Sequence, residues 1–248
     1  MKNLSLEITI PVLNEEKRLE YGLSTTIEFL QKNNISNYKI VIADNGSKDR
    51  TEEIATLLEK KYPQVRYIKV GQKGVGLALK KSWNASNADI IGYMDVDLAT
   101  DLTHLLDVIS KMQNDEIDIV NGSRILPGSK VINRSALRET TSRGFNFILK
   151  AILNVNFSDG MCGFKFIKRT AFNKLMKAGI DNNDWFFCTE MLIKAEWSGL
   201  NIYELPVQWK DDGDSRVDIS KTIYKYMKEI FKLRFSKNLW LKKTTSIS

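Results

Sequence analysis

Histidine and cysteine are almost absent from this chain of 248 residues: there is one histidine, His104, and there are two cysteines, Cys162 and Cys188. Two cysteines make no disulfide framework, and one histidine leaves no Cys/His zinc site and no Ser-His-Asp arrangement. The cysteines read as small buried hydrophobes, and His104 reads as a surface helix residue. No apolar run approaches the roughly 18 residues needed to cross a bilayer. The chain enters a strand-like pattern at once, Leu4 to Val12, with no signal-peptide core, so the expectation is a protein made and kept in the cytoplasm. Linkers and internal repeats are missing too, which makes the second half continuous with the first.

What is present is a full complement of core residues, 43% hydrophobic, and a net charge of +7. Such a charge suggests a polyanionic partner: nucleic acid, an acidic membrane surface or phosphorylated small molecules. The basic residues accompany no recognised nucleic-acid motif, which disfavours the first. From Lys221 to Lys243 there are eight Lys or Arg against one acid, Glu229, with Tyr224, Met227, Ile230, Phe231, Phe235, Leu239 and Trp240 interleaved. Ile223, Met227, Ile230 and Phe231 share one helical face. Two readings of this helix stand: an interfacial membrane anchor, or an ordinary helix packing on the domain.

Along the first half, strand patterns (Leu6 to Val12, Lys39 to Ala43, Val65 to Val70, Asp89 to Met94, Asp118 to Gly122) alternate with helical ones (Glu15 to Gln31, Thr51 to Lys61, Gly76 to Ala85, Thr103 to Gln113). That alternation predicts an α/β fold with a mostly parallel central sheet and helices on both faces. Later come a helix over Leu137 to Leu153, a Gly-rich segment over Asp159 to Lys165, helices near Thr170 to Lys177 and Phe187 to Ser198, and a last strand over Asn201 to Pro206. Ligands of such sheets bind beyond the carboxyl ends of the strands. Four polar loops lie there: Pro11 to Glu15, Asp44 to Ser47, Gly71 to Gly76 and Asp95 to Asp97.

Asp95 and Asp97 carry the clearest chemistry. On an extended chain they point the same way, and carboxylates without imidazole or thiolate beside them suit Mg2+ or Mn2+, commonly shared with substrate phosphates. The alternative is an Asp-rich turn capping the next helix. Asp44 either initiates a turn before Gly46 or accepts a hydrogen bond from a nucleotide base, and Asp49 caps the following helix. Gly71, Gly74 and Gly76 have the wrong spacing for a dinucleotide fingerprint.

Taken in order, these segments resemble glycosyltransferase family 2: Ile10-Pro11-Val12-Leu13-Asn14-Glu15, Ala43-Asp44-Asn45-Gly46-Ser47, Asp95-Val96-Asp97, Gly122-Ser123-Arg124, Ser142-Arg143-Gly144, Cys162-Gly163-Phe164-Lys165, Glu190 and Pro206-Val207-Gln208-Trp209. The later motifs narrow the resemblance to the polyprenyl-phosphate hexosyltransferase branch. It implies the GT-A nucleotide-sugar fold over residues 1–218, followed by a basic amphipathic helix and tail over 219–248. It implies a nucleotide sugar of the UDP-glucose or GDP-mannose type, a polyprenyl (dolichyl-type) phosphate acceptor, Mg2+ or Mn2+ on Asp95 and Asp97, and peripheral attachment to the cytoplasmic face of a membrane. Asp97, Arg124 and Arg143 become the catalytic candidates; Pro11, Asn14, Glu15, Asp44, Gly74, Asp95, Lys165 and Glu190 become the substrate-binding ones. Arg134, Arg138 and Arg216 are further phosphate candidates. Glu190 is alternatively a buried residue paired with a base, and Trp209 is core or site. Asn45 stands where the family often has a second aspartate, and Ala99 where mannosyl members carry a glutamine, which favours glucose over mannose. Rival readings keep the fold but use a glycan or another lipid as acceptor, or make the chain a silent sugar-nucleotide-binding subunit.

Overall fold

The computed structural model describes residues 4–210 and 219–245, without the side chains of 219–222 and 243–245. Arg216 lies outside the described residues. In chain order the elements are β1 (Leu6–Val12), α1 (Leu19–Lys32), β2 (Tyr38–Asp44), α2 (Thr51–Lys61), β3 (Val65–Lys69), α3 (Val75–Ala85), β4 (Ile90–Met94), α4 (His104–Met112), β5 (Ile119–Ser123), β6 (Lys130–Ile132), α5 (Ala136–Leu153), β7 (Phe164–Lys168), α6 (Arg169–Ala178), α7 (Phe186–Trp197), β8 (Ile202–Pro206), β9 (Gln208–Lys210) and α8 (Ile219–Thr245).

Seven strands form one sheet in the order β3-β2-β1-β4-β7-β5-β8. All neighbouring pairs are parallel except those of β7, which runs antiparallel to both β4 and β5. The sheet is buried on both faces, so its strands read as apolar runs. On one face Leu6, Ile8, Ile10 and Val12 join α1, α2 and α4; on the other, Ile91, Tyr93, Ile119 and Ile167 join α3, α5, α6, α7 and α8. Each fully buried Leu or Ile on these faces contributes roughly 1.5–3 kcal/mol by leaving water. The expected architecture is thus present, with one strand added to the central sheet and a two-stranded sheet, β6 with β9, beside it. Phe164–Lys168, of which only Phe164 and Lys165 fall in the expected Gly-rich segment, forms strand β7 with Lys165 buried.

Three more expectations need correction. His104 is buried, not on the surface: its Nδ1 lies 2.9 Å from Asp107 Oδ2, and its Nε2 accepts the Gln208 N–H at 2.8 Å. An accepting Nε2 puts the ring proton on Nδ1. The apolar face of α8 is also rotated from the expected one. Tyr226, Ile230, Leu233 and Trp240 are buried in the core, whereas Ile223 and Phe231 face outward. The buried set repeats at three- and four-residue spacing, and Tyr226 packs against the rings of Phe145 and Phe186. Asn201 to Pro206 is not the last strand, since β9 follows and pairs in parallel with β6.

Candidate active site

The register of β7 builds the centre of the site. Met94 pairs with Phe164 in the antiparallel ladder, so the next residues along, Asp95 and Gly163, are brought face to face. After Asp95 the chain does not stay extended. It turns at Val96 and Asp97, and Leu98 takes a left-handed φ of 56°. Asp97 Oδ1 accepts the Ala99 N–H at 3.0 Å, closing the turn and leaving Asp97 exposed above the deeper Asp95. Burial and then the charge of Asp97 push the Asp95 carboxyl up to about 7, against the opposing pull of Arg124 and Lys165. Two hard oxygen donors that destabilise one another's charge fit a divalent cation such as Mg2+. Among the described residues no group of three or more Asp, Glu, His or Cys side chains is gathered as a metal site.

Arg124 sits beside this pair but is firmly held. Its Nε and Nη2 donate to the two oxygens of Asp159 at 2.8 and 3.0 Å, and Asp159 is fully buried. Burial alone would raise the Asp159 carboxyl; the Arg124 guanidinium outweighs it and holds the group well below the usual carboxylate range. Lys165, also fully buried, donates to the Cys162 carbonyl and adds positive charge near Asp159 and Asp95. Cys162 and Cys188 are pushed up to about 11 by burial, which keeps both as unreactive thiols.

Trp209 extends the site. The Arg124 guanidinium lies 5.4 Å from its ring centroid and that of Arg134 5.7 Å. Strand β9 holds this indole in place because it is laced to the loop after Asp97: the Lys210 N–H donates to Ala99 O at 2.8 Å, and the Asp101 N–H to Gln208 O at 3.0 Å. Beyond Trp209, Arg134 Nη1 pairs with Glu139 Oε2 at 2.9 Å and Arg143 Nε with Glu139 Oε1 at 2.6 Å. The Ser135 hydroxyl caps α5 by accepting the Arg138 N–H.

At the ends of β1 and β2 two loops are bonded to each other. The Lys48 N–H donates to Asn14 Oδ1, the Asn14 N–H to Ser47 Oγ, the Glu15 N–H to Thr51 Oγ1 and the Glu16 N–H to Asp49 Oδ2. Asn14 reaches this geometry with a left-handed φ of 57°. Pro11 stands one residue before the end of β1, and Glu15 lies near enough to Asp95 to raise it slightly. Asp44 holds its own loop: Oδ1 accepts the Gly46 and Ser47 N–H groups and Oδ2 the Tyr67 hydroxyl. Asn45 is different. Its buried Oδ1 has no hydrogen-bond partner.

Gly74 and Gly76 are needed for close packing. A Cβ on Gly74 would lie 2.5 Å from Asn183 O, and one on Gly76 2.6 Å from Asn182 O. The Gly76 and Leu77 N–H groups at the start of α3 donate to the carbonyls of Asp184 and Asn183. Glu190 belongs to this region, its oxygens bonded to Lys194 Nζ and the Asn182 N–H. Asp95, Asp97, Lys165 and Arg124 therefore form one charged centre, Arg134 and Arg143 join it through Trp209 and Glu139, and Glu190 is engaged elsewhere. Sequence reasoning missed Asp159 and Glu139. Asp159 lies 35 residues from Arg124, and only the fold pairs them.

Comparison with known proteins gives the family and the fold. The family model described as "Glycosyl transferase family 2" matches residues 7–176. Glycosyltransferase AglD of Haloferax volcanii is 32% identical over 222 residues, which is 89% of this chain but 35% of that protein. Dolichyl-phosphate beta-glucosyltransferase of Dictyostelium discoideum is 29% identical over 245 residues, 94% of this chain and 75% of its own length. Among solved structures, glucosyl-3-phosphoglycerate synthase of Mycobacterium tuberculosis, in complex with Mn2+ and uridine-diphosphate-glucose, superposes with a TM-score of 0.67 at 16% identity, covering 93% of this chain and 79% of that one. This chain thus spans about a third of AglD's length, and the structural likeness concerns the fold.

Proposed function

We propose, since this chain belongs to glycosyl transferase family 2, that it is a glycosyltransferase moving a hexose, glucose by preference, from a nucleoside diphosphate sugar to a polyprenyl phosphate at the cytoplasmic face of a membrane. The observation that carries this reading is the arrangement at the end of β4: the neighbouring carboxylates Asp95 and Asp97, with Arg124 beside them and Arg134 on the same Trp209 ring. Carboxylates that suit a hard cation next to arginines that suit phosphate fit a diphosphate donor and a phosphate acceptor.

In the reaction a phosphate oxygen of the acceptor bonds to C1 of the hexose as the bond from C1 to the diphosphate oxygen breaks, inverting that carbon. A phosphate monoester is already ionised near neutral pH, so a general base is not required. The chain's groups instead orient the partners and offset developing charge, which acts most strongly in a preorganised, water-poor site. Asp95 and Asp97 are the residues that would hold Mg2+ or Mn2+, and the bound cation would neutralise the departing diphosphate. Arg124, fixed by Asp159, and Lys165 stand beside that carboxylate pair as basic groups. The paired loops of Pro11 to Glu15 and Asp44 to Ser47 would take the nucleoside, with the unpartnered Asn45 Oδ1 as an acceptor for a base N–H and Asp44 holding the loop that presents it. Gly74 passes the sugar donor through the start of α3. Arg143 serves the acceptor phosphate, while Glu190, paired with Lys194, braces the Asn182 loop that packs on Gly74 and Gly76.

Membrane contact is supported by α8. At 100° per residue Tyr224, Phe231, Phe235 and Leu239 fall opposite the buried face, accompanied by exposed Lys228 and Lys232. No helix of the described residues is long and apolar enough to cross a membrane, so the contact would be peripheral. Residues 1–218 would then be the catalytic domain, and 219–248 the attachment.

The test is incubation of the purified protein with a panel of nucleotide sugars, with and without polyprenyl phosphate and divalent metal, followed by mass spectrometry of the lipid product. A hexosyl-phosphoprenol formed only with metal and lipid phosphate is the expected result. Transfer to a glycan, or no transfer from any nucleotide sugar, overturns it.

A further inference from the structure

Two arginine–carboxylate pairs flank Trp209, and they differ in one respect. Arg124 is paired with Asp159, which is fully buried and accepts three hydrogen bonds from Arg124 itself and one from the Met161 N–H. That carboxylate cannot leave without stranding a buried charge. Arg134 is equally enclosed, its side chain 7% exposed, but its partner Glu139 is 31% exposed and is shared with Arg143, itself 57% exposed. Glu139 sits in the first turn of α5 and is itself in reach of water, so it can give way to another anion that keeps the enclosed Arg134 paired.

We infer that Glu139 is an internal stand-in for the acceptor's phosphate: its carboxylate bridges Arg134 and Arg143 and is displaced when the phosphate binds there. Two guanidinium groups around one carboxylate leave a net charge of +1. A phosphate monoester, carrying nearly two charges and three acceptor oxygens, satisfies both guanidiniums more fully than a carboxylate does. The exchange explains why an enclosed arginine is paired with an exchangeable acid, and why that acid spans two arginines. With the phosphate absent it also keeps Arg134 ordered on the Trp209 ring. No bond is made or broken; one anion replaces another.

The inference rests on the reading of the acceptor as a prenyl phosphate, and the experiment separates the two. A water-soluble short-chain prenyl monophosphate is titrated calorimetrically into wild type, Glu139→Gln, Arg134→Gln and the double variant, with the corresponding prenyl alcohol as control. Removing the competing anion should tighten binding of the monophosphate by about three- to tenfold, while the alcohol is unaffected. Arg134→Gln should weaken binding, and in its background the gain from Glu139→Gln should shrink. If wild type binds the monophosphate but Glu139→Gln, with an unchanged thermal melt, binds it equally or more weakly, Glu139 is a positioning residue for the arginines and the stand-in is overturned. If wild type does not bind the monophosphate at all, the acceptor reading fails and the stand-in fails with it.

Discussion

A methyl group added to Gly163 would lie 1.9 Å from Oδ2 of Asp95. The antiparallel insertion of β7 creates that approach, because it closes the Cys162–Gly163 turn over the end of β4. Any side chain at 163 must push the carboxylate or the turn aside. Gly163→Ala should therefore lower kcat by about 100-fold, the scale on which ångström misplacements act. The half-saturating Mg2+ concentration should rise as well. Steady-state kinetics at varied Mg2+ check this; an unchanged kcat would mean that the position of Asp95 does not govern turnover.

Asp97 is exposed and caps one turn, so its loss should affect chemistry far more than folding. Asp97→Ala should abolish turnover while the thermal melt reports a change within about 1 kcal/mol. Chelation of wild type should do the same, reversibly on adding Mn2+. Full activity of the folded variant, or of chelated wild type, removes the metal from the mechanism.

The central fold was legible because it rests on period. Alternating apolar runs and helical stripes, each ended by a polar loop, specify a parallel sheet and the edge where ligands bind. Asp95 and Asp97 were legible for the same reason, being acids at the end of the all-buried strand Ile90 to Met94. Strand β7 was not, because a lysine buried by tertiary charges looks from sequence like a solvated one. His104 failed similarly: nothing local announces that the backbone of Gln208, 104 residues away, will bond to its ring. The arginines of the site could be named, but not sorted. Only the fold reveals that Arg124 is locked on Asp159 while Arg134 and Arg143 share Glu139.

Asp159→Asn tests that lock through pH. The Asp159 carboxyl is held well below its ordinary value of 3.8, and the sign follows from linkage. Stability from the pair is fully present above the unfolded value and is lost as pH falls through and below about 4. Wild type should thus lose stability across that acid range. The variant, with the Arg124 charge unpaired in the interior, should be weaker by about 3–5 kcal/mol at neutral pH and show a shallower acid limb. Denaturant melts from pH 3 to pH 7 give both slopes; parallel curves would show that the pair contributes no pH-dependent stability.

Asp44 and Arg143 should affect different substrates. Asp44→Ala removes the acceptor for two loop N–H groups and the Tyr67 hydroxyl, so nucleoside diphosphate binding should weaken together with loop stability. Arg143→Gln should leave that binding unchanged and raise the prenyl phosphate requirement. Calorimetry with UDP and GDP on both variants is decisive, since equal losses would contradict a division between the two loops and α5.

If the acceptor is a polyprenyl phosphate, the outward face of α8 is the surface that would meet the membrane. Phe235 and Tyr224 are 83% and 75% exposed, far more than core packing would leave, and basic side chains flank them. Each Lys or Arg near an anionic surface contributes up to about 1 kcal/mol, screened within a Debye length. Vesicle co-sedimentation should show binding to anionic membranes at low salt that fades as salt rises. Phe235→Ser should weaken it without shifting the thermal melt, because that ring contributes little to the core. Should neutral vesicles bind equally well, the basic residues have no part in attachment. Should Phe235→Ser lower the melt but leave binding intact, the exposed stripe of α8 serves folding, and the membrane must be reached through another surface.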